Sequence, residues 1–216
     1  MKHKITLFIL SVIASAFIYT NNISASPLGS ITVDYEAIAK VQQEMLETLT
    51  PEQILAVQQI ALETHIRNTN TLNQIIATNQ QNAPAKAQEI FNIINNYRIQ
   101  NGLNPLAWND TCATAANIRA NELITCYNKD HIRPDGRKAS SVITDIRNDF
   151  SHPYLFGENA AFYTRICTAE EAFLLWKNSP KHNAIMLYPD FTSAAVGVSY
   201  GPDGTSYYSF DAWNYE

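Results

Sequence analysis

Two imidazoles and one carboxylate stand in three short segments of the C-terminal half: His131-Ile-Arg-Pro-Asp-Gly136, Gly157-Glu158-Asn159, and Trp176-Lys-Asn-Ser179-Pro180-Lys-His182. Each segment falls at the edge of an expected helix or strand, where a rigid backbone can aim a side chain into a cleft. Two histidines suit a divalent metal ion or proton transfer, and Glu158 suits the orientation of one imidazole from behind. Ser179 caps a helix start, Pro180 takes its first position and His182 its third. Positive partial charge at a helix N-terminus disfavours imidazolium, so His182 is expected to be neutral and free to ligate a metal or act as a base. Ser179 with His182 as nucleophile and base is the competing reading. A capping serine, however, commits its hydroxyl to backbone N–H groups, and no Gly-x-Ser-x-Gly elbow is present. Asn159 is expected to support the Glu158 loop. His152 reads as a loop histidine near the rim, and His65 lies in a helical arm away from the site.

The elements that must position these groups begin after Val33. Ile38, Val41, Met45 and Leu49 recur at helical spacing, and Thr50-Pro-Glu-Gln53 marks a second helix start whose apolar stripe runs through Ile54, Val57, Ile60 and Leu62. Asn79 to Pro84 is polar and proline-containing, which predicts a boundary there. A helix is expected from about Ala85 to Gln100, with Ile90, Ile93, Ile94 and Tyr97 inward and Gly102 as its terminator. Asn109 caps the next, whose small-residue face (Cys112, Ala113, Ala116, Ala120, Leu123) predicts close approach to a neighbouring layer, with Arg119 and Glu122 facing elsewhere. Thr168-Ala-Glu-Glu171 opens a third with a capping box. Ala195–Tyr200 and Ser206–Phe210 read as strands joined through Gly201-Pro-Asp-Gly204, and shorter strands are expected at Ser140–Thr144 and Asn159–Phe162. Helices around an antiparallel sheet give an α+β domain. The late aromatics Tyr200, Tyr207, Tyr208, Phe210 and Trp213 line either a groove or the core.

Lys2 and Lys4 precede an apolar run from Ile5 to Tyr19, with small residues at Ser24-Ala25, so residues 1–25 read as a secretory signal peptide. The run is short for a membrane span, and the mature chain is expected to have none. The organisation expected is therefore a signal peptide at 1–25, a helical extension at 26–84 and a domain at 85–216. Taking Lys2 and Lys4 from 15 basic residues leaves 13 against 20 acidic, a net charge near −7, with no basic cluster, so nucleic acid is not an expected partner. Three cysteines in an exported chain permit one disulfide. Cys112 and Cys126 on one helix would stand roughly 21 Å apart, too far to bridge. Cys167 with either of them, Cys126 preferred, or three free thiols, are the alternatives.

From about Ile90 to Trp213 the sequence resembles the CAP domain, also called the SCP domain, of cysteine-rich secretory proteins, venom allergens and plant pathogenesis-related proteins, its bacterial branch above all. The residues that carry the likeness are Asn96-Tyr-Arg98 with Asn101-Gly-Leu103 and Trp108-Asn109; Ala116-Asn-Ile-Arg119-Ala-Asn-Glu122; His131 to Gly136; Gly157-Glu158-Asn159; Trp176-x-x-Ser179-Pro180-x-His182; and Phe191 with Gly197. The resemblance implies a three-layer α-β-α sandwich with a central cleft holding His131, Glu158 and His182. The second acid of many eukaryotic relatives would stand at position 179, where this chain has Ser179; Glu170 and Glu171 are poorly placed to replace it. The resemblance also implies an exported binding module, secreted or envelope-associated. Its cleft would hold zinc or another divalent cation weakly through His131 and His182, and its ligands would be lipid, sterol, glycan or protein. Metal-dependent or Ser179-dependent hydrolysis is the alternative.

Overall fold

Thr50 and Gln53 close a reciprocal cap at the start of the helix that opens at Pro51: Thr50 N–H donates to Gln53 Oε1 at 2.8 Å, and Gln53 N–H to Thr50 Oγ1 at 3.3 Å. The computed structural model describes Lys40, residues 49–147 and residues 155–214. The segment read as a signal peptide, most of the first amphipathic stretch and His152 lie outside the described residues. The elements are α1 (Pro51–Gln100), β1 (Ala107–Trp108), α2 (Asp110–Leu123), α3 (Ser141–Ile146), β2 (Leu155–Tyr163), α4 (Ala169–Lys177), α5 (Pro180–Met186), β3 (Ser193–Tyr200) and β4 (Ser206–Asn214). No helix among the described residues is long and apolar enough to cross a membrane.

The chain divides into two compact units, one up to Gln74 and one from Ile75. In the first, Leu55, Ile60, Leu62 and Ile66 are exposed, so Ile60 and Leu62 do not join a buried stripe. In the second, the expected break at Asn79–Pro84 is absent, because α1 runs straight through it with Pro84 exposed inside the helix. Ala83, Ala87, Ile90, Phe91 and Ile94 are buried on one side, and that packing outweighs the amide and carbonyl bond a proline disturbs. Gly102 ends α1 at φ 75°, with Leu103 N–H donating to Arg98 O and Gly102 N–H to Ile99 O.

The sheet has the order β1-β3-β4-β2. β3 pairs antiparallel with β4 and β4 with β2, while the two-residue β1 joins the edge parallel to β3, so the sheet is antiparallel except at that edge. Alternation sorts the strands into two faces. Val196, Val198, Tyr208, Phe210 and Ala212 pack with Ile90, Ile94 and Trp176 on one side. Ala195 and Trp213 pack with Cys112, Ala115, Val142 and Ile143 on the other. Helices on both faces of the sheet give the expected three layers. The small-residue face of α2 permits its close approach, and Gly197 on β3 is the point of contact.

Two further expectations are corrected. Ser140–Thr144 belongs to the helical turn α3, because Val142 and Ile143 are both buried against α2, which adjacent strand positions cannot achieve. α2 ends at Leu123, so Cys126 lies beyond it. All three cysteines are free: Cys167 Sγ meets Tyr208 OH at 3.0 Å, while Cys126 lies beside Asn128 and Ile132. The late aromatics other than Tyr207 are buried core.

Candidate functional site

β2 is the far edge of the sheet, and its alternation delivers Glu158 to the α2 face and Asn159 to the opposite one. His131 arrives from the loop after α2 and His182 from α5, so the site straddles the sheet edge where the two helical layers meet. His131, Glu158, Asn159, Ser179 and His182 all line one cleft of about 500 Å³.

His131 is the one non-glycine among the described residues at positive φ, 54°. That conformation costs on the order of 1 kcal/mol and is imposed by its surroundings. Asn128 clamps the next residue, accepting from Ile132 N–H at 2.9 Å and donating to Ile132 O at 2.8 Å, while Ala139 N–H donates to His131 O. The ring is thereby aimed at Glu158, with His131 Nδ1 2.5 Å from Glu158 Oε2. Burial alone would push the Glu158 carboxyl up, but the hydrogen bonds from His131 and Arg119 and the Arg119 charge outweigh it and hold the pKa below the usual value. An ionised carboxylate only accepts, so Nδ1 carries the hydrogen and His131 Nε2 is left without a hydrogen-bond partner among the described residues.

Arg119, expected to point away, is fully buried and is the centre of the site's electrostatics. Its Nε lies 2.6 Å from Glu158 Oε1 and its Nη1 2.5 Å from Glu122 Oε2. Glu122 also accepts from Arg133, which reaches Ser141 and Asp145; Asp145 pairs with Arg137, and Arg137 with Asp135. Charges thus alternate in one chain from the cleft to the surface. Directly across from Glu158 stands Asp211 on β4, completely buried. Its Oδ1 accepts from Ser209 at 2.7 Å, and its Oδ2 has no partner. Burial, then the Glu158 charge, pushes the Asp211 pKa well above the ordinary value. The folded protein therefore retains a proton that the unfolded chain releases above the normal carboxyl range, and stability falls as pH rises through that interval. Asp211→Asn should flatten this slope, so that urea midpoints of variant and wild type converge in acid and the variant gains at pH 8. Parallel profiles would contradict a neutral Asp211.

On the other face α5 is fixed from below by Arg98, whose Nη1 donates to Met186 O at 2.7 Å and Tyr188 O at 2.9 Å. Asn159 Nδ2 donates to His182 O at 2.8 Å, so Asn159 braces the α5 start instead of its own loop. His182 Nδ1 and Asn159 Oδ1 are buried without partners. The His182 pKa is lowered, first by burial and second by His131. The neutral imidazole expected from its helix position is matched in direction, with desolvation as the cause. Ser179 occupies the cap position without a side-chain capping bond, contrary to expectation, and no hydrogen bond joins it to His182. Glu171 is engaged by the Thr168 cap and by Arg165.

Glu158 commits its two oxygens to Arg119 and His131, and among the described residues no group of three His, Cys, Asp or Glu side chains converges on a metal position. The donors that remain, His131 Nε2 and His182, suit an ion held by two protein nitrogens with water completing its shell.

Residues 91–211 match the family model described as the cysteine-rich secretory protein family, CAP. An extracellular protein containing an SCP domain from Bacillus anthracis has a similar structure, with 23% identity and a TM-score of 0.53 over 63% of this chain and 42% of that one. An outer surface protein from Borrelia burgdorferi is similar at 19% identity and a TM-score of 0.51, over 60% of this chain and 92% of its own. This chain thus spans less than half of the Bacillus protein, and identities this low speak to the fold alone. No curated protein sequence matches.

Proposed function

The chain belongs to the cysteine-rich secretory protein (CAP) family, and from that premise we propose that it is an exported binding module whose cleft takes up a divalent cation, zinc or a chemical relative, through His131 and His182. The observation that carries this reading is the pairing of two differently prepared imidazoles in one cleft. His131 is oriented through Nδ1 by an ionised carboxylate, and His182 is kept neutral by burial. Carboxylate support raises the basicity of a ligating ring, and a low pKa spares the ligand competition from protons. When bound, the ion would supply a positive, Lewis-acidic centre to whatever enters the cleft. Two protein ligands imply modest affinity and ready exchange, with no dependence of folding on the metal. Localisation outside the cell or at the envelope is supported by the N-terminal sequence and by the extracellular and outer-surface descriptions of the two similar structures.

Zinc calorimetry tests the proposal. His131→Ala and His182→Ala should each abolish measurable binding, and Glu158→Gln should weaken it about tenfold or more. Unchanged affinity in either histidine variant contradicts the metal cleft. Ser179-dependent turnover of peptides or esters would replace the binding reading with the hydrolytic alternative.

A further inference from the structure

Two carboxyl side chains on paired strands meet on the α2 face of the sheet, and the guanidinium that faces them serves only one. Glu158 on β2 stands opposite the completely buried Asp211 on β4. Arg119 gives Nε and Nη2 to Glu158, at 2.6 and 3.4 Å, and Nη1 to Glu122, and among the described residues no ion pair joins it to Asp211. The Asp211 carboxyl has the Ser209 hydroxyl at 2.7 Å from Oδ1 and nothing at Oδ2. A negative charge there would be buried beside a second carboxylate with no counter-ion of its own, which favours the protonated form. Glu158, holding the Arg119 and His131 contacts, is the ionised member of the pair, and Asp211 keeps a proton.

That proton is linked to the cleft. Ser209 Oγ lies 2.7 Å from Asp211 Oδ1 and 3.5 Å from Glu158 Oε1, and Glu158 Oε2 lies 2.5 Å from His131 Nδ1. These contacts run from a closed interior carboxyl to the ring whose Nε2 is left for a cation. An ion at that nitrogen adds positive charge in surroundings that screen it poorly, and the ionised form of Asp211 gains from the charge where the neutral form does not. The titratable and charged groups that face Asp211 are Glu158 from β2 and Arg119, Glu122 and Cys112 from α2. β3 sets Ala195 opposite it, and α3 packs on this face with the apolar Val142 and Ile143. Burial keeps the Cys112 thiol neutral, and Glu122 is paired with Arg119 and Arg133, so Asp211 is the member able to change charge.

We infer that the cleft exchanges a divalent cation for a proton held on Asp211. As the ion settles on His131 and His182, the Asp211 O–H bond breaks, its electron pair stays on the carboxylate and the proton passes to bulk water. The Ser209 hydroxyl remains as donor to the new charge. The inference rests on the metal reading above and adds its regulation by pH. A cation that favours the ionised acid is itself favoured by higher pH, so affinity rises as pH rises through the Asp211 transition and levels off above it.

Zinc calorimetry on the full chain, in two buffers of different ionisation enthalpy at pH 7, 8 and 9, counts the protons released per ion. At the pH of largest difference the wild type should release about half a proton more than Asp211→Asn. Wild-type affinity should climb about fivefold above that of the variant at the alkaline end, while the two converge in acid. Ser209→Ala keeps the acid but removes the donor that stabilises its ionised form, so the extra release should move to higher pH. Difference infrared spectra on zinc addition give a readout independent of affinity: the C=O band of a protonated carboxyl should fade in the wild type and show no such change in Asp211→Asn. Equal proton counts in the wild type and Asp211→Asn, or a protonated-carboxyl band that zinc leaves unchanged, overturn the exchange and leave the metal cleft standing. No zinc binding by the wild type overturns the metal cleft and the exchange with it.

Discussion

Arg119→Met should destabilise the fold by about 3–5 kcal/mol, the cost of stripping one partner from a buried ion pair. The methionine fills much of the volume, so the loss reports charge more than cavity. Arg119 supplies Glu158 with a hydrogen bond at 2.6 Å and Glu122 with one at 2.5 Å, and Glu158 sits nearly out of water beside the second buried acid, Asp211. Without the guanidinium, Glu158 retains only uncharged hydrogen-bond partners, the His131 ring and the Ser209 hydroxyl, whereas Glu122 retains Arg133. That inequality makes a further outcome specific: Arg119→Met combined with Glu158→Gln should recover a substantial part of the loss, because it removes the stranded charge. Urea unfolding of the two variants measures both effects. A loss below about 1 kcal/mol for Arg119→Met would mean that the network is as weak as a surface pair.

Gly197→Ala should be at least as damaging, by about 3 kcal/mol or more, for a steric reason. A Cβ at this position would lie 2.0 Å from Ala116 O, 2.2 Å from Ala116 C and 2.6 Å from Asn117 N. These are backbone atoms of α2, so no rotamer change relieves the overlap and the whole helix must lift from the sheet. α2 carries Arg119 and Glu122, which means that the displacement also disturbs the support of Glu158. Because the obstacle is the peptide group, Ala116→Gly should give no rescue. Full stability of Gly197→Ala, or recovery in the double variant, would contradict the close helix-on-sheet approach.

The parts of this architecture legible in the sequence are those set by local chemistry. Thr50 with Gln53, Asn109, and Thr168 with Glu171 announce helix starts through side chains that bond within three residues, and each cap is formed. Gly201 to Gly204 likewise turns β3 into β4 without outside help. His131, Glu158 and His182 were legible as a set because each stands in a short, recognisable segment, and they do line one cleft. What escaped depends on partners distant in the chain. Arg119 falls in the same helical stripe as Cys112, Ala116, Ala120 and Leu123, so periodicity already put it inward; only the habit of sending charge to solvent hid it. Its burial is compensated only once β2 brings Glu158 opposite. Asp211 shares a face with Ser209 and Trp213 just past the strand expected at Ser206–Phe210, and its pairing with Glu158 is a matter of β2–β4 register, which no local signal fixes. Asn79 to Pro84 shows the converse error, where poor local propensity was overruled by the buried face of Ala83 and Ala87.

The most direct test of the cleft is a zinc titration monitored through the imidazole 15N and 1H resonances of His131 and His182. The account predicts that His131 starts with hydrogen on Nδ1, and that both rings shift along one binding curve with a single midpoint. Movement of only one ring, or two separate midpoints, would show that the imidazoles do not share a ligand.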